Sequence, residues 1–132
     1  MNDASKQRDR WLRSAREDLS YARVASAAGH HAPACFHCQQ AAEKAIKAIH
    51  YGRGARVLIG HNVRALIESL VPAAPPLLAL LDDARDLDVF YIPTRYPNGL
   101  ESGTPGEAFG ERQSTRAFEA AEAIVSAVEA LG

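Results

Sequence analysis

From Ala34 to Tyr51 the chain reads ACFHCQQAAEKAIKAIHY, and this stretch limits the possible folds more than any other. At helical spacing, Cys38, Ala41, Ala45 and Ala48 share one face, and Ala42, Ile46 and Ile49 widen it. A broad face of small side chains suits a helix packed closely against more than one neighbour. Alanine is abundant along the whole chain and β-branched residues are scarce, which favours helix over strand.

The flanking segments carry narrower stripes. Leu12, Ala15, Leu19 and Ala22 predict a first helix over residues 5–28, closed by Gly29. Pro33 suits the first turn of the second helix, and Gly52 and Gly54 close it. A third helix starts near Asn62, whose side chain can cap it, with Val63, Leu66, Ile67 and Leu70 inward and Pro72 beyond its end. Pro75 and Pro76 open a fourth with Leu77, Leu80, Leu81, Ala84 and Leu87 inward. Ala117, Ala121, Ile124 and Val128 mark the seam of a last helix over 111–131. The expected fold is therefore an all-α, up-and-down helical bundle of about five helices, with a long loop before the last one. That loop, residues 90–110, holds three prolines and four glycines, and its aromatics Phe90, Tyr91, Tyr96 and Phe109 are expected to pin it to the bundle.

A length of 132 residues fits a single domain over 1–132, and 47% hydrophobic residues supply a core without help from metal or disulfides. No apolar run approaches the ~18 residues of a membrane span. The opening MNDASKQRDRW lacks the apolar stretch of a signal peptide, so the expected location is cytoplasmic. Net charge is −1, yet residues 1–60 hold ten Lys/Arg against five Asp/Glu, and residues 61–132 hold five against eleven. The basic half suits phosphate and the acidic half a basic partner; equally, the halves can attract each other within the bundle. The string HHAPACFHC places His30, His31, Cys35 and Cys38 near one another. Structural zinc usually takes two separated ligand clusters and the chain offers no second, so no metal and no cofactor are expected.

Several landmarks resemble the HEPN family, the higher eukaryote and prokaryote nucleotide-binding proteins. They are Trp11, the Asp18-Leu19 pair, QQAAEKAIKA from Gln39 to Ala48, His61 at the opening of the third helix, Arg95-Tyr96-Pro97 after the fourth, and the final alanine-rich helix. Their order and spacing, more than any one of them, carry the likeness. The resemblance implies a homodimer and a minimal nucleotidyltransferase as partner in a toxin–antitoxin-type pair. It also implies kinship with metal-independent ribonucleases that use an arginine, four to six residues and a histidine.

Arg56-Val-Leu-Ile-Gly-His61 matches that spacing but precedes the third helix, where the family does not keep its motif. On this reading Arg56 faces solvent and His61 serves the helix end. Arg95 stands where the resemblance expects the arginine, but Leu100, Glu101 and Ser102 stand where the histidine belongs. The leading expectation is thus a subunit that contacts nucleotide or RNA phosphate without strong catalysis. Arg95 would grip phosphate, and Tyr96 or Tyr91 would offer a stacking face. Gln40, Lys44 and Lys47 share a helix face and extend the set, although Glu43 and Lys47 also fit an ordinary solvated i, i+4 pair. Against the functional role of Arg95 stands simple pairing with Asp88. Two alternatives remain open: a metal-independent ribonuclease, and a pure protein-interaction module.

Overall fold

The computed structural model describes residues 2–132. Helix α1 spans Asp3–Ala27, and Asn2 caps it by accepting a hydrogen bond from the Ser5 amide at 2.8 Å. Its predicted stripe, Leu12, Ala15, Leu19 and Ala22, is buried. Gly29, at φ 82°, lets the chain reverse within three residues into α2, His31–Gly52. The two long helices pack along each other as an antiparallel hairpin, and the third long helix, α7 at Glu111–Ala130, lies against both.

Helix α2 is the centre of the bundle. Thirteen of its 22 residues are buried, which leaves it little solvent face. Its alanines permit this: Ala41, Ala42, Ala45 and Ala48 are fully buried and let neighbouring backbones approach closely. On α7 the inward residues are Ala117, Ala120, Ala121, Ile124, Val125 and Val128.

Between α2 and α7 the chain is carried by short pieces. Helix α3 covers Val63–Glu68, α4 Pro75–Leu78, α5 Leu81–Asp88 and α6 Pro105–Ala108, with a 3-10 turn at Pro97–Gly99. The apolar stripe expected of one fourth helix thus runs through two. Leu80 leaves helical geometry, its amide bonds back to Leu77 in a tight turn, and α4 and α5 each lie against α7. Leu77, Ala84 and Leu87 still reach the core. In the long loop, Thr104 and Glu107 form a capping box that starts α6. Phe90 is buried and meets Phe109 edge to face at 5.8 Å, so the loop is fastened near both ends.

Arg16 of α1 lies between Glu122 and Glu129 of α7, so attraction between the basic and acidic halves operates inside the bundle. None of the helices among the described residues is long and apolar enough to cross a membrane.

Helix α3 is capped from two directions. The Asn62 side chain accepts from the Ala65 amide at 2.7 Å, and the Asp88 carboxylate accepts from the Val63 and Arg64 amides at 2.6 and 3.1 Å. Burial pushes the Asp88 carboxyl above its ordinary range, while these amide bonds act in the opposite direction. Asp88→Ala strands two amide donors and is expected to cost about 1–2 kcal/mol. Thermal unfolding checks this, and an unchanged midpoint would show that water replaces the cap.

Candidate functional site

Gln39, Glu43 and Lys47 recur every four residues on α2 and form a line of buried polar residues inside the bundle. An isolated buried charge is costly, so such a line persists only if its members satisfy one another. Lys47 Nζ donates to Glu43 Oε2 at 3.0 Å. Gln39 and Gln40 both point an amide at Glu43 Oε1, at 3.3 and 3.4 Å. The carboxylate thereby collects donors from three residues of its own helix.

A fourth donor arrives from the α2–α3 connection. His61 Nδ1 lies 3.2 Å from both Glu43 oxygens, and the His61 carbonyl accepts from Gln39 Nε2 at 2.8 Å. A carboxylate can only accept, so Nδ1 carries the proton, and in the neutral ring Nε2 keeps a free lone pair. The His61 side chain is half exposed, and Nε2 makes no hydrogen bond among the described residues. Asn62, not His61, supplies the side-chain cap of α3.

The His61 ring is stacked on Tyr91, with ring centroids 4.4 Å apart. The same tyrosine holds Arg95. The Arg95 guanidinium carbon lies 4.5 Å from the Tyr91 ring, 4.7 Å from Phe36 and 4.9 Å from Tyr96, and Nε donates to the Tyr91 carbonyl at 2.9 Å. No carboxylate of the described residues pairs with it; Asp88, the expected partner, instead accepts from the Val63 and Arg64 amides. Two donor nitrogens of the guanidinium remain uncommitted beside three aromatic faces.

The structure therefore brings Arg95, Tyr91 and Tyr96 together, with Gln40 and Lys47 converging on Glu43 beneath His61. The Glu43–Lys47 pair is buried and not a solvated surface pair. Lys44 turns the other way: its Nζ lies 2.7 Å from Asp18 Oδ2 and donates to Ser14 Oγ at 2.9 Å. Asp18 Oδ2 makes no hydrogen bond, so its contact with Lys44 is ionic. Asp18 Oδ1 meets His37 Nδ1 at 2.8 Å, a second histidine backed by a buried carboxylate.

Sequence reasoning did not assign Phe36, Gln39, Glu43, His61 or the Asp18–His37 pair to a site. Only the Gln39, Glu43, Lys47 spacing offered a signal, since polar residues every fourth position on an otherwise alanine-rich helix mark one inward line. Arg56 is exposed and pairs with no carboxylate among the described residues. Cys35 and Cys38 are fully buried, and burial pushes both thiols up to about 12, so they behave as small core residues. His31 Nδ1 meets Ser114 Oγ at 2.8 Å, and His30 is exposed. Among the described residues no three His, Cys, Asp or Glu side chains gather as a metal site.

Comparison with known proteins agrees with the landmarks read from the sequence. TT1696 from Thermus thermophilus has a crystal structure similar to this chain, with a TM-score of 0.86 and 35% identity over 94% of this chain and 97% of that one. The crystal structure of ST0689, an archaeal HEPN homologue, gives a TM-score of 0.77 and 32% identity over 95% of this chain and 97% of that one. No curated protein matches the chain. The family model described as HEPN domain matches residues 9–131, nearly the full length, and the chain belongs to the HEPN domain family.

Proposed function

We propose that this HEPN domain binds nucleotide or RNA phosphate at Arg95, with the exposed Tyr96 as the stacking face, while Tyr91 is already engaged by His61 and Arg95 and holds the cluster together. On this reading it acts as a homodimeric subunit beside a minimal nucleotidyltransferase in a toxin–antitoxin-type pair. The observation that carries the phosphate contact is the state of Arg95: fixed among three rings, free of any carboxylate among the described residues, and with two donor nitrogens open to a ligand. The nucleotidyltransferase and the dimer rest on the family resemblance.

A second reading is favoured by His61. Its Nδ1 is anchored on Glu43, its Nε2 is unengaged, and its ring shares Tyr91 with Arg95. On this second reading His61, from another segment, would serve as the histidine lacking near Arg95 in the sequence, linked to it through the Tyr91 ring on which both pack. Such a pair fits cleavage of RNA by its own 2′-hydroxyl. His61 Nε2 takes the hydroxyl proton, the 2′-oxygen bonds to phosphorus, and the 5′-oxygen leaves with a proton from water. The product ends are a 2′,3′-cyclic phosphate and a 5′-hydroxyl, and Arg95 stabilises the charge that gathers on phosphorus.

One set of measurements separates the readings. Anisotropy with a labelled single-stranded RNA should show binding that weakens as salt rises. Arg95→Ala should reduce that binding by about 1–3 kcal/mol. His61→Ala should leave binding nearly intact. If wild-type protein cleaves the RNA and His61→Ala lowers the rate by about a hundredfold or more, the ribonuclease reading holds. Binding without cleavage leaves the phosphate-contact reading. Absence of binding, or binding indifferent to Arg95, sinks both and favours an interaction module. Light scattering should return about twice 14.3 kDa for the homodimer.

A further inference from the structure

A separate feature lies on the α1 side of α2. Trp11 and Tyr51 stack at 4.9 Å and form the wall of an open cleft of about 550 Å³, between the first half of α1 and the end of α2. Arg10 and Arg56 open onto the same cleft, and no carboxylate lines it. Lys44 also borders it but is already matched with Asp18, so Arg10 and Arg56 are the uncommitted charges. Neither arginine pairs with a carboxylate among the described residues. Trp11 Nε1 and Tyr51 Oη make no hydrogen bonds among the described residues either, which leaves two further polar groups at the aromatic wall.

We infer that this cleft is a binding site for a ligand combining an aromatic ring with phosphate: a nucleoside diphosphate, or the 5′-phosphorylated end of an RNA. Its parts match those two moieties. A planar base has the Trp11–Tyr51 wall to lie against. Two arginine forks suit phosphate oxygens, and the lack of a lining carboxylate removes the main competitor for them. The volume is in the range of small-molecule pockets, roughly 300–1,000 Å³. The site assigns a use to Arg56, which the Arg95 cluster does not touch, and it stands independently of the function proposed there.

Trp11 is the only tryptophan in the chain, so its fluorescence reports this cleft directly. Titration with ADP or GDP should quench it saturably. Adenosine, which lacks phosphate, and inorganic pyrophosphate, which lacks a base, should each bind about tenfold more weakly or worse. Arg10→Gln and Arg56→Gln are exposed substitutions that leave the helical signal intact, and each should weaken ADP binding about tenfold. Arg95→Ala should leave the quenching curve in place, which separates this site from the Arg95 cluster. A 5′-phosphorylated RNA that outcompetes both ADP and its 5′-hydroxyl counterpart assigns the cleft to RNA ends; the reverse order assigns it to free nucleotide. No saturable quenching by any of these probes, or quenching that survives both arginine substitutions, overturns the inference.

Discussion

Lys47→Met should destabilise the protein by about 3 kcal/mol, at the lower end of the range for breaking a buried ion pair. The Lys47 and Glu43 side chains are 7% and 5% exposed, and they meet at 3.0 Å. Removing the ammonium leaves the Glu43 carboxylate buried, with Gln39, Gln40 and His61 as its only remaining donors among the described residues. Those three soften the loss but carry no permanent positive charge. The double variant Glu43→Gln with Lys47→Met buries no charge and should recover most of the stability. Urea unfolding of the two single variants and the double variant tests this as a closed cycle. A loss under about 1 kcal/mol for Lys47→Met would mean that water reaches the pair, as at a surface ion pair.

Ile46→Ala, one residue earlier, should cost about the same by a different route. Ile46 is fully buried among the largest side chains of the core. Truncation removes three methyl or methylene groups and leaves a cavity that its close-packed neighbours cannot fill, for about 3 kcal/mol. No second substitution on the polar side of α2 should restore it, in contrast to the Lys47 case. The unfolding midpoint should fall with an unchanged denaturant slope. A cost below about 1 kcal/mol would show that the core relaxes around the site and is not close-packed there.

The three long helices were legible because their apolar positions repeat at helical spacing over many turns, as Leu12 to Ala22 and Ala117 to Val128 do. The break between α4 and α5 was not, since Leu77, Leu80, Leu81, Ala84 and Leu87 keep the same spacing through the turn at Leu80. In the long loop, proline and glycine content marked irregular chain but not the helical turn at Pro105–Ala108, which Thr104 and Glu107 cap locally. The surroundings of Arg95 were half visible. Tyr91 and Tyr96 are its sequence neighbours, whereas Phe36 and His61 reach the cluster only through the packing of α2 against the later elements. Glu43 was hidden for another reason. An i, i+4 Glu–Lys pair looks the same on a solvated face and on a buried one, and burial depends on which neighbours α2 acquires.

The Arg95 cluster stands on two kinds of ground. Glu43 and Lys47 belong to the most enclosed helix of the bundle, while His61, Tyr91 and Arg95 sit on connecting segments outside the α-helices, next to caps such as Asp88 on α3. A change at the first pair disturbs the whole fold, but a change at the second three is borne locally. The outer layer can therefore be exchanged one connection at a time while the charged base beneath it stays unaltered.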